Sequence, residues 1–133
     1  MTTTNTTYQY KPTTWHQAKD EVRRILIDRV RKTRGKPITY GDLCACLQAI
    51  QFAPDDAAFH AMLGEVSETE AAAGRGMLSA LVVLKDGPSA GSPGGGFYTC
   101  AEGIGYQIPD KLKFWSDQLK AVIAFWLSNP NAS

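Results

Sequence analysis

Three stretches of the chain carry apolar residues at every third or fourth position. They are followed by one continuous apolar run. Trp15, Ala18, Val22, Ile25, Leu26 and Val30 mark one face of a first helix. Leu43, Cys44, Leu47 and Ile50 mark a second helix, and Phe59, Met62, Leu63 and Val66 a third. Met77–Leu84 then reads MLSALVVL, an apolar, partly β-branched run bounded by turn residues, and it is the best strand in the chain. That change of period fixes the order of elements: helices first, then a strand.

Punctuation supports the same division. Thr13 or Thr14 can cap the first helix, and Gly35 followed by Pro37 ends it. Thr39 with Asp42 three residues on is a variant capping box that opens the second helix, over about Tyr40–Ile50. Asp55 suits the N-cap of the third, which runs on to Gly74 or Gly76. After the strand, Lys85-Asp86-Gly87 is a turn signal. Pro88–Gly96 is nine residues of Pro, Gly, Ser and Ala, too poor in side chains to pack. Phe97 and Tyr98 would pair back on the strand, giving a hairpin with a long, loose tip. Ala101–Tyr106 fits strand, helix or loop. Asp110 caps a final helix that buries Leu112, Trp115, Leu119, Val122, Ile123 and Trp126. The expected fold is α+β and winged-helix-like: three helices, a β-hairpin wing and a C-terminal helix. One domain over residues 15–133 follows a mostly disordered, Thr-rich tail over residues 1–14 that packs through Tyr8 or Tyr10.

Ile38-Thr39-Tyr40-Gly41-Asp42-Leu43 resembles the opening of the helix-turn-helix in the DNA-binding domain of alkylguanine-DNA alkyltransferases and alkyltransferase-like proteins. The likeness spans roughly Val22–Tyr98 and includes the basic helix, the apolar strand and the Gly-rich stretch. It implies a winged-helix fold, and it implies that Tyr40 lies near a target nucleotide's phosphate. The alternative for Tyr40 is a core or turn-stabilising aromatic. The departures are chemical. Where the family carries a Pro-Cys-His-Arg core, this chain has Leu78-Ser79-Ala80-Leu81-Val82-Val83, without Cys or His. Ser79 occupies the nucleophile's place, and a serine without a nearby base is inert. The family's recognition-helix Arg is missing from Ala58-Phe59-His60-Ala61. Alkyl transfer is therefore not expected.

Charge gives the functional clue. The net charge is +1 over 133 residues. From Lys19 to Lys36 eight basic residues face three acids, a local balance of +5, whereas Asp55–Gly74 holds five acids and no Lys or Arg. A basic stripe is the footprint of phosphate binding. Arg24, Arg31, Lys32, Arg34 and Lys36, with Tyr40 and with Lys85 on the wing, are the candidate nucleic-acid-binding residues. The third helix offers only His60 to a base edge and repels phosphate with its acids. The chain thus reads as a small non-enzymatic module that binds nucleic acid through the first helix and the wing. The alternative is a protein-interaction or self-association module in which the acidic third helix meets a basic first helix of a partner or second copy.

Other chemistries find little footing. Gly94-Gly95-Gly96 lacks the Lys-Ser/Thr of a P-loop and the setting of a dinucleotide fingerprint. His60 and Glu65 stand five apart, a poor metal pair, and Cys44, Cys46 and Cys100 form no CxxC. These cysteines read as core fillers of a reducing, cytoplasmic compartment. No cofactor or metal is expected, and no run approaches the ~18 apolar residues of a membrane span.

Overall fold

A computed structural model describes residues 10–133. The chain is mostly helical with one small sheet: α1 (Pro12–Thr33), β1 (Ile38–Thr39), α2 (Tyr40–Cys46), α3 (Ala57–Ala72), a single 3-10 turn (Leu78–Leu81), β2 (Val82–Val83), α4 (Gly95–Ile104) and α5 (Lys111–Ser128). It is α+β in the broad sense.

The first helix starts earlier than its Thr caps suggest. Pro12 takes the first helical position, where its missing N–H costs nothing, and Lys11 is the N-cap. Residues 12–14 are therefore helical rather than tail. Tyr10 packs edge-on against Phe52 and at a tilt against Trp15; Tyr8 lies outside the described residues. α1 is about 33 Å long and buries Trp15, Ala18, Val22, Leu26, Ile27 and Val30. It ends with Arg34 and Gly35 both in the left-handed region, at φ 63° and 98°. A Cβ on Gly35 would run into the Ile123 side chain, so this glycine is what lets α5 close over the end of α1.

Thr39 caps α2 as expected, its hydroxyl accepting the Asp42 N–H at 3.1 Å. The helix stops at Cys46, short of Ile50. Asp56, not Asp55, is the N-cap of α3, and its carboxylate accepts the Ala53 N–H at 2.8 Å, tying down the preceding turn. Asp110 caps α5 through the Lys113 N–H at 3.1 Å.

The hairpin wing is not what forms. The two strands are parallel, Ile38 opposite Val82 and Thr39 opposite Val83. Only two residues of Met77–Leu84 are strand. Met77 through Val83 are all buried, so the run has no exposed face to alternate with, and its first half turns once as a 3-10 helix instead. Phe97 and Tyr98 lie in α4 rather than in a returning strand, and Ala101–Ile104 complete that helix before Gly105 at φ 117°. The Gly-rich stretch is not a loose tip either. Leu84 bonds across a closed loop, accepting from Gly91 N–H at 2.8 Å and donating to Ser92 at 2.9 Å; Pro93 and Gly94 are buried.

The two oppositely charged helices pack against each other. Lys19 reaches Glu65 at 3.0 Å, and Trp15 Nε1 donates to the same carboxylate oxygen at 3.0 Å. Arg23 donates to Glu70 at 2.9 Å, and Arg75 grips Glu70 through Nε at 2.7 Å and Nη2 at 2.8 Å. Glu70 is 0% exposed. Burial alone would raise its carboxyl pKa, but the hydrogen bonds and charges of Arg75 and Arg23 prevail and hold it below the ordinary value. Much of the charge contrast between α1 and α3 is thus matched inside the molecule.

Candidate functional site

Tyr40 stands at the end of the strand pair. The parallel register places it one residue beyond Thr39, and Lys85 follows two residues beyond Val83 at the same end. The ring is buried, and its hydroxyl accepts the Gly94 N–H at 3.0 Å. Burial raises the phenol's pKa above its ordinary value, against the lowering effect of that hydrogen bond, so the group stays protonated. A Cβ on Gly94 would stand 3.3 Å from the hydroxyl. His60 stacks on Tyr40 with ring centroids 5.0 Å apart. Its Nε2 lies 2.9 Å from the Pro54 carbonyl, a bond in which the ring nitrogen must donate. Nδ1, on the other side of the ring, faces Gly96.

Two spaces share these rings. An open groove of about 560 Å³ is lined by Tyr40, His60, Leu84, Lys85, Gly94 and Gly95, with Asp55 and Asp86 also on its walls. Beneath it a cavity of about 20 Å³ is lined by Tyr40, His60, Ser79, Phe97 and Cys100, among others. That is room for about one water.

The cavity's hydroxyl and thiol are not activated. Ser79 is buried, its oxygen 2.6 Å from Ser67 Oγ, and its own N–H donates to that same oxygen at 3.0 Å. No base reaches it. Burial, with a smaller push from Glu68, raises the Cys100 thiol, and burial with Asp56 lifts Cys44 to about 11. Both stay protonated, which removes the thiolate as a nucleophile. All three cysteines are free. Among the described residues, no three His, Cys, Asp or Glu side chains gather as they would around a metal ion, and no helix is long and apolar enough to cross a membrane.

The seven candidate residues separate into three groups. Tyr40 and Lys85 share the groove. Arg31 is a structural residue. Its guanidinium donates to Asn129 at 2.8 Å and Ala132 at 2.7 Å, with a longer bond to Trp126, closing the carbonyls at the end of α5. Arg24 is exposed, beside Asp20, Glu21 and Asp28. Lys32, Arg34 and Lys36 are exposed at the end of α1 and on the segment leading to β1. Lys32 makes a loose 3.8 Å pair with Asp28, and among the described residues Arg34, Lys36 and Lys85 make no side-chain hydrogen bond or ion pair.

Sequence reasoning missed His60, Gly94 and Gly95 as walls of one space with Tyr40. The Gly run was the available signal, but only the fold shows that it passes over the Tyr40 hydroxyl. No protein-family model, curated protein or solved structure matches the chain.

Proposed function

We propose that the chain is a non-enzymatic module that holds the phosphate backbone of nucleic acid along the end of α1 and across the Tyr40 groove. In this reading α2 and α3 serve as the helix-turn-helix of a winged-helix-like unit related to the alkyltransferase DNA-binding domains. The closed loop after β2, carrying Lys85, takes the place of the wing.

The observation that carries the reading is the charge left over once the internal pairs are made. Lys19 and Arg23 are committed to α3, and Arg29 and Arg31 to backbone carbonyls. Of the cations left without a strong partner among the described residues of this stretch, Arg24, Lys32, Arg34 and Lys36, the last three lie within eight residues of Tyr40 on one continuous segment. Lys85 stands on the groove that Tyr40 floors. The same pairing weakens the alternative of a partner protein docked between acidic and basic helices. Glu65 and Glu70, which that docking would use, already face Lys19 and Arg23 of their own chain.

Binding to a duplex of about 20 base pairs, followed against salt, tests the proposal. Four phosphate contacts give a slope of about −3.6 in log affinity against log salt, a loss of about 150-fold between 50 and 200 mM. The double change Arg34→Ala, Lys36→Ala should halve the slope while leaving the melting temperature in place. Absence of retention at 50 mM salt overturns the reading, as does a slope indifferent to those two residues.

A further inference from the structure

A second groove adjoins the first. It has a volume of about 370 Å³ and runs between the closed loop, α4 and the start of α5, lined by Gly95, Tyr98, Lys111, Leu112 and Trp115 with Ser89 and Ser92. Gly95, exposed at the start of α4, lines both grooves. Burial raises the Tyr98 phenol above its ordinary pKa, with a smaller push from Tyr40 nearby.

The chemistry of the second groove is aromatic and cationic. Among the described residues Lys111 is the one charged residue lining it, and its ammonium sits 5.3 Å from the centroid of the Tyr98 ring. Leu112 is 69% exposed, on a helix whose other large apolar side chains are buried or half-buried. Trp115 is fixed by its indole N–H, which donates to the Ala80 carbonyl at 2.8 Å, so its ring is held in place rather than free to turn. A rigid aromatic and apolar wall beside a lone cation matches an anion that carries flat apolar faces.

We propose that the two grooves form one track for a single nucleic-acid strand, with bases against Tyr98, Leu112 and Trp115 and phosphates at Lys85 and Lys111. This rests on the nucleic-acid reading above and names the strand form that this face takes. A duplex hides its base faces in the stack, and only unpaired bases can lie on an aromatic wall. Asp55 and Asp86 line the first groove, so the phosphates are held at the two lysines and bases fill the space beside the carboxylates.

The experiment compares a ten-residue deoxythymidine strand with an abasic strand of equal length, read by quenching of tryptophan fluorescence. The thymidine strand should bind at least fivefold more tightly, because stacking adds to phosphate contact. Its salt slope should be about −1.4, the value for two phosphates on a single strand. The surface change Lys111→Ala should weaken it at least fivefold with duplex retention and the melting temperature unchanged, and Tyr98→Ala should weaken it likewise, at some cost in melting temperature because the ring also packs on Phe97. Equal affinity for the two strands overturns the track, as does indifference to Lys111→Ala in a folded variant. If duplex retention persists in that case, the proposed function stands and only the track falls. If the thymidine strand binds as described while duplex is not retained, the track stands and the backbone grip along α1 falls.

Discussion

Replacing Glu70 with Gln tests whether the charges of α1 and α3 serve the interior. The carboxylate has no exposed surface and receives three hydrogen bonds, one from Arg23 and two from Arg75. Gln keeps the shape but removes the charge, leaving two guanidinium groups facing a neutral amide. Removing one partner of a buried ion pair costs about 3–5 kcal/mol, because the charge left behind is uncompensated. The side chains of Arg23 and Arg75 are 28% and 24% exposed, so both can recover some hydration. That places the cost near the lower figure, about 3 kcal/mol. With an unfolding entropy of about 2.1 cal/mol/K per residue, a chain of this length should lose about 11 °C of melting temperature.

Acid should separate the charge from the packing. The folded Glu70 pKa lies below its unfolded value, so its contribution is complete above the unfolded pKa of about 4.3. It is lost as pH falls from there through the folded value. Thermal melts from pH 7 to pH 3 should therefore show the gap between wild type and Glu70→Gln closing in acid. A gap under 3 °C at pH 7, or one that does not narrow at pH 3, would refute the argument that this carboxylate binds the two helices together.

Two further changes probe the frame around the groove. Gly35→Ala places a methyl group into Ile123 at a backbone angle that alanine resists, and it should cost about 2–3 kcal/mol in urea unfolding. Adding Ile123→Ala should relieve the clash but not the strained φ, so only part of the loss returns. Tyr40→Phe leaves the Gly94 N–H buried without its acceptor and should cost about 1–3 kcal/mol. Hydrogen exchange at Gly94 should rise in that variant, and unchanged protection would show that the hydroxyl is not what holds the loop.

The helices were legible because their signals are local. Trp15 to Val30 repeats at helical spacing regardless of what lies opposite, and Thr39 and Asp110 cap within three residues of themselves. The wing was not legible, because Leu78 to Val83 is buried on every side. Such a run reads alike whether it is a parallel strand, an antiparallel strand or a turn of helix. Which it becomes is decided by its partner Ile38, 44 residues away. The candidate site divided in the same way. Tyr40 and Lys85 were visible as single residues, and the register that sets them at one end of the sheet was not. Arg31 looked like a surface cation because its targets, the carbonyls of Asn129 and Ala132, lie about a hundred positions downstream. Part of the contrast of +5 against −5 is matched in one contact, where Lys19 meets Glu65 and Arg23 meets Glu70.

The two-residue ladder between β1 and β2 also bears on what holds the groove in shape. Pairing Ile38 with Val82 closes a loop of 44 residues, at an entropic cost of about 3 kcal/mol, and only two residue pairs reward it directly. The ladder therefore depends on the burial of Ile38 and Val82 in the core beneath it. Because Tyr40 and Lys85 follow just beyond the ladder, the groove inherits its shape from that core rather than from the strands themselves.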